Sequence, residues 1–176
     1  MTATIQMEDG NKIVIALYPD KATNTVQNFI DLCQQKFYDG VIFHRVQSDF
    51  VIQGGDKTGT GSGDNGWTIN GEFSENGYTQ NDLSYDAGVV GMARTSDYNS
   101  ASSQFFITVT GDSKDSLDGK YAAFGKVIEG MDVVLQYAAL VVDANQKPYD
   151  PPVIKTITVD TLGQTVPAPV RNITSE

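Results

Sequence analysis

From Val41 onward the chain is broken into short apolar and aromatic runs with glycine between them, and this punctuation constrains the fold more than any other feature. The runs are Val41 to Val46, Phe50 to Gln53, Trp67 to Phe73, Gly88 to Met92, Gln104 to Val109, Ala122 to Val127 and Val153 to Asp160. Short β-type segments at regular spacing argue for a sandwich or a closed barrel, and against a parallel sheet with crossover helices. The chain opens in the same style. Ile5 to Tyr18 alternates around an Asp9-Gly10-Asn11 turn, with Ile13, Ile15 and Leu17 on one face of a half-buried hairpin. Two segments change period. Val26, Phe29, Ile30, Cys33 and Phe37 recur at helical spacing behind Thr23 and Asn24 as candidate N-caps, and Asp39-Gly40 stops them. Met131, Val134, Leu135 and Ala138 make a second apolar stripe within Met131 to Leu140. The pattern leaves sandwich and barrel both open.

Composition excludes several functions. At 176 residues the chain suits one domain, and no stretch approaches the roughly 18 apolar residues of a membrane span, so no membrane partner is expected. A net charge of -10, with only Arg45, Arg94 and Arg171 as arginines, repels phosphate backbones, so nucleic acid is not an expected partner. The lone cysteine, Cys33, reads as a small buried hydrophobe in a reducing compartment. Met1 to Asp9 has neither a basic start nor a continuous apolar core, which points to the cytoplasm. Gly163 to Glu176, with Pro167 and Pro169 and no periodicity, reads as a flexible C-terminal tail following a domain over 1–162. Within it, the Asn172-Ile173-Thr174 sequon reads as coincidence.

Three features bear on chemistry. Gly61-Ser62-Gly63-Asp64-Asn65-Gly66 matches a dinucleotide fingerprint in form, but strand-like Trp67 to Phe73 follows where a helix N-terminus is required, so a surface loop is expected. His44 is the only histidine, which rules out a multi-histidine metal site; it reads as a structural, hydrogen-bonded side chain, and no metal is expected. Arg45 lies in apolar, strand-like sequence, where a guanidinium with five fixed donors must find a carboxylate partner or serve a substrate. Gln104 and Phe106 share strand parity, as do Val51 and Gln53, so each pair projects to one face. Faces of this kind meeting near Arg45 would form a shallow apolar pocket with a few oriented donors.

Phe43-His44-Arg45, Phe50 to Asp56 and Ser103-Gln104-Phe105-Phe106-Ile107 together resemble the cyclophilins, with similarity from about Ile5 to Leu162. The stretch from Met92-Ala93-Arg94-Thr95 through Asn99 to Phe106 resembles the bacterial-type branch. The resemblance implies a closed antiparallel eight-stranded β-barrel capped by two α-helices. It also implies a cofactor-free peptidyl-prolyl cis-trans isomerase acting on proline-containing peptides and on unfolded or partly folded proteins. Arg45 falls at the family's catalytic arginine. Phe50, Val51, Phe106 and Leu117 fall at positions lining the proline pocket, and Gln53, Ala93, Arg94 and Gln104 at polar and backbone contacts to substrate. Three of this chain's residues depart from the best-known pattern. Ser116 replaces a frequent tryptophan, Tyr121 a histidine and Val51 a methionine; loss of the aromatic at 116 should weaken binding of cyclosporin-type cyclic peptides. The alternative is a proline-segment-binding chaperone or scaffold module with little turnover. No heptad repeat suggests a dimer, so a monomer is expected.

Overall fold

A computed structural model describes residues 1–63 and 65–174 of the chain. The N-terminal hairpin forms as β1 (Thr2–Met7) and β2 (Lys12–Leu17), with Ile13, Ile15 and Leu17 buried on one face as their alternation predicts. Six further strands complete an antiparallel sheet: β3 (Phe43–Val46), β4 (Val51–Gly54), β6 (Val89–Met92), β7 (Phe105–Thr108), β8 (Ala123–Glu129) and β9 (Ile154–Asp160). The remaining two, β5 (Trp67–Thr68) and β10 (Asn172–Ile173), pair with each other. In the large sheet the order is β3-β4-β7-β6-β8-β2-β1-β9. Its two ends meet over a short seam. Ile42 bridges Val153, Gly40 N–H donates to the Ile154 carbonyl at 2.8 Å, and Phe43 N–H donates to Pro152 at 3.0 Å. A mainly β architecture curled on itself is thus the observed fold.

Alternation along these strands separates two apolar clusters. Ile52, Val90, Met92, Phe105, Ile107 and Phe124 enter the main core, where Phe29 meets Phe105 edge-on at 5.7 Å and Phe124 at 5.2 Å. Residues of opposite parity, among them Val51, Val89, Phe106 and Ala123, form a second cluster on the other face. Two longer helices contribute to the main core: α1 (Thr23–Gln34) and α3 (Met131–Ala138). These are the two helices expected; a further element, α2 (Lys114–Leu117), is a four-residue turn with no helical period to announce it.

Other expectations need correction. Ala22 is the N-cap of α1, and neither Thr23 nor Asn24 caps it with a side chain. The cap comes from Glu72 instead: its carboxylate accepts from Asn24 N–H at 3.2 Å, Thr25 N–H at 2.6 Å and the Thr25 hydroxyl at 2.7 Å. A buried anion there complements both the orphan donors and the helix dipole. Phe37 falls beyond the helix, because Lys36 turns left-handed at φ 57°. Trp67 to Phe73 is strand only at its start, since Gly71 N–H donates to the Asn99 side chain rather than to a ladder.

The segment expected to fray is anchored at 170–174. Val170 N–H and the Asn24 side chain exchange hydrogen bonds at 2.8 and 2.9 Å, and Arg171 binds Asn28 and pairs with Asp31 at 2.8 Å. The Arg171 guanidinium also lies 4.0 Å from the centre of the Trp67 ring. Specific side-chain contacts, which composition does not reveal, replace the missing apolar periodicity.

Candidate active site

One rung of the sheet carries the site. Arg45 on β3 pairs with Gln53 on β4, Gln53 with Phe106 on β7, Phe106 with Gly91 on β6, and Gly91 with Ala123 on β8. Neighbouring strands lie about 4.8 Å apart, so residues in register project side by side on one face. A bulge between Phe43 and Arg45 sets the phase of β3, leaving Phe43 in the main core and Arg45 half-buried at the site.

Arg45 is held by amides. Its Nε donates to Gln146 Oε1 at 3.1 Å, Nη1 to Gln53 Oε1 at 3.1 Å and Nη2 to Gln47 Oε1 at 2.9 Å. Among the described residues the ion pairs are Lys12–Glu129, Lys21–Asp82, Lys114–Asp86 and Arg171–Asp31, so the carboxylate partner that a buried arginine often finds is not its fate. Because a guanidinium only donates, Gln53 must turn its oxygen to Arg45, and this orients everything downstream. Gln53 Nε2 donates to Gln104 Oε1 at 3.0 Å, and Gln104 Nε2 donates to the Gly61 carbonyl at 3.0 Å. The result is a polarised chain running from a cation to the glycine-rich loop.

Beside the guanidinium lies a notch of about 160 Å³ lined by Arg45, Phe50, Val51, Gln53, Ala93 and Arg94, together with Phe106, Leu117 and Tyr121. Every one of these residues was expected at the site. Cavities for drug-sized ligands begin near roughly 300 Å³, so this one suits a single small side chain. Its floor is rigid: Phe106 stacks on Tyr85 at 5.6 Å and meets Tyr121 edge-on at 5.8 Å. The absent side chain at Gly91 matters here, because a Cβ would overlap both the Tyr85 hydroxyl and the Phe106 ring. Arg94 contributes as a wall. Its guanidinium donates through three of its five N–H groups to the Lys120 and Thr95 carbonyls and lies 4.4 Å from the Tyr121 ring centre. Gln104 joins through Gln53 and lines the adjoining cavity. Ser116 does not line the notch; it is exposed, and its hydroxyl donates to the Ser113 carbonyl at 2.8 Å.

The glycine-rich loop hangs on one carboxylate. Asp56 accepts from Thr58 N–H at 2.8 Å, Thr60 N–H at 3.2 Å, Gly61 N–H at 2.7 Å and Gly63 N–H at 3.2 Å, as well as from the Thr58 hydroxyl. Burial works to raise its pKa, but these donors outweigh burial and hold it below the ordinary value. Those N–H groups are engaged by Asp56 and so are not free to cradle a phosphate, and a Cβ at Gly63 would overlap the carboxylate. Asp64, within the same glycine motif, lies outside the described residues. His44, expected as a structural, hydrogen-bonded side chain, is buried, but its Nδ1 has no hydrogen-bond partner among the described residues. Burial lowers its pKa, with Asp56 opposing and Arg45 and Lys147 adding to the effect. Sequence reasoning missed Gln47, Gln146, Tyr85 and Asp56. Only Gln47 had a local signal, two residues from Arg45 and of the same parity.

The notch is thus a shallow, largely apolar seat on the outer face of a curled antiparallel sheet, with the amide-caged Arg45 guanidinium at its edge. The family model described as cyclophilin type peptidyl-prolyl cis-trans isomerase matches residues 2–159. A peptidyl-prolyl cis-trans isomerase of Schizosaccharomyces pombe is 42% identical over 151 residues, covering 85% of this chain and 94% of that protein. Peptidyl-prolyl cis-trans isomerase B of Bacillus subtilis is 42% identical over 131 residues, covering 74% of this chain and 86% of that one. A crystal structure of a Cryptosporidium parvum cyclophilin type isomerase, determined in the presence of the dipeptide Ala-Pro, superposes with a TM-score of 0.79 at 30% identity. It covers 92% of this chain and 99% of the other. The chain belongs to the cyclophilin type peptidyl-prolyl cis-trans isomerase family, and its activity is the isomerisation of peptidyl-prolyl bonds.

Proposed function

We propose that Arg45 is the catalytic donor of this isomerase, acting on an Xaa-Pro bond whose ring sits on Phe50, Val51, Phe106 and Leu117. The observation that carries the reading is the three-glutamine cage: a cation fixed in place, unpaired with any carboxylate among the described residues, at the edge of an apolar notch. Rotation about the bond crosses a barrier of ~18–20 kcal/mol because amide resonance is lost on twisting. As resonance is lost, the imide nitrogen becomes pyramidal and more basic, so a donor beside it binds the twisted state more strongly than either planar isomer. Three of the guanidinium's five N–H groups are engaged by Gln146, Gln53 and Gln47, which leaves two for the substrate. Gln53, the backbone at Ala93 and Arg94, and Gln104 orient the polypeptide on either side. Tyr121 closes the notch laterally. No bond to a nucleophile forms, and the site needs no cofactor for this chemistry.

The substrates in this reading are proline-containing segments of unfolded or partly folded proteins, met by a monomer in the cytoplasm. The exposed serine at 116 offers little area to a cyclosporin-type cyclic peptide, which supports weak binding of that class. Placement in a bacterial-type branch draws support from the Bacillus subtilis relative, while the fission-yeast relative is as similar over a longer stretch. The test is exchange NMR on a proline peptide with wild type and Arg45→Ala. The wild type accelerates interconversion, and the variant loses at least a hundredfold with its fold intact. Peptide affinity without acceleration in the wild type would refute turnover and leave a binding module.

A further inference from the structure

A second cavity, of about 380 Å³, adjoins the proline notch and shares Gln53, Ala93 and Arg94 with it. Consecutive Cα atoms are about 3.8 Å apart, so a polypeptide seating a ring in the notch must deliver a nearby side chain to this cavity. Its lining residues are mostly serine, threonine and amide side chains, and the Arg94 guanidinium there is anchored by three of its N–H groups to the Lys120 and Thr95 backbone carbonyls. Two of its walls depend on the C-terminal segment, which lies beyond the family match ending at residue 159. Trp67 lines the cavity and is clamped by Arg171 at 4.0 Å from its ring centre. Thr174 lines it directly and donates its N–H to the Gly66 carbonyl at 3.2 Å. Pairing of β10 with β5 keeps both contacts in register, and Arg171 is itself locked to Asn28 and Asp31 on α1.

We propose that this strap, residues 170–174, is a specificity element: it narrows the second cavity so that substrates with small polar residues near proline are accepted and bulky ones are disfavoured. The inference rests on the isomerase reading, and its test separates the two. Isomerisation is measured for proline peptides that differ only in the flanking residues, from alanine and serine to tryptophan and arginine. Arg171→Met removes the clamp and is expected to raise kcat/KM at least fivefold on the bulky peptides while leaving the alanine peptide within twofold. Thr174→Trp keeps the clamp, fills the cavity and is expected to shift the ratio the opposite way. Trp67 is the only tryptophan, so its emission reports the strap directly; Arg171→Met should move it to longer wavelength and increase iodide quenching. An unmoved emission overturns the clamp. A freed strap with unchanged peptide ratios overturns its role in selection, while the preserved alanine-peptide rate keeps the isomerase reading intact. Absence of turnover by the wild type on every peptide overturns both.

Discussion

Replacing Arg45 with lysine keeps the charge and removes the geometry, which makes it the sharpest probe of the cage. The guanidinium bonds Gln146, Gln53 and Gln47 at 3.1, 3.1 and 2.9 Å and still has two N–H groups for substrate. Lysine has three donors radiating from one nitrogen, so it cannot span three acceptors and also present a donor to the twisted imide. Loss of one preorganised donor of this kind costs about 2.7–4 kcal/mol of transition-state stabilisation, or ~10²–10³ in rate. The glutamines are half-buried and can turn to water, so the fold should lose no more than about 1.5 kcal/mol. Stopped-flow isomerisation of a proline peptide, with urea unfolding as control, gives both numbers. If Arg45→Lys stays within threefold of wild type in kcat/KM, positive charge alone suffices and the fork argument is wrong.

Gln53→Met keeps the bulk but cuts the amide chain, leaving Arg45 Nη1 and the Gln104 oxygen without partners; a fall of about tenfold in kcat/KM is expected, corresponding to ~1.4 kcal/mol. Tyr85→Phe removes a buried hydroxyl with no partner among the described residues and should stabilise the protein by about 1 kcal/mol without loss of turnover; a lowered thermal midpoint would mean that the hydroxyl is bonded after all. Acid should weaken the fold in two stages. His44 has its folded pKa below the ordinary 6.5, so the unfolded chain binds a proton that the fold refuses, and stability declines as pH falls below that value. Asp56 has its folded pKa below 3.8, so its contribution is complete above 3.8 and is lost as pH falls through the lowered value. Urea midpoints measured from pH 7 down to pH 3 should therefore fall progressively, and Asp56→Asn should be less stable at pH 7 with the lower stage abolished.

Period and parity made most of the strands legible, and parity alone grouped Val51 with Gln53 and Gln104 with Phe106. What they could not supply was register. That Arg45, Gln53, Phe106 and Gly91 share one rung depends on a bulge in β3 and on turns whose geometry no hydrophobic pattern encodes. The resemblance stood in for register, and its residues do line the notch except for Gln104, one step behind through Gln53, and Ser116, which faces outward. Partners recruited across long loops were invisible. Gln146 reaches Arg45 from 101 residues away and Glu72 caps α1 from 47, in both cases through polar contacts that carry no period. The strap was missed for the same reason, since Val170 on Asn24 and Arg171 on Asn28, Asp31 and Trp67 are aperiodic contacts inside a segment of disordered composition.

The choice of carboxamides around Arg45 has a consequence for how the protein meets its surroundings. Amides neither gain nor lose protons across the range where proteins survive, so the centre should work equally well in mildly acidic and mildly alkaline solution, and any decline at the extremes will follow unfolding rather than chemistry. Among the described residues the carboxylates sit elsewhere and do not touch the guanidinium, which leaves that cation available to a passing peptide.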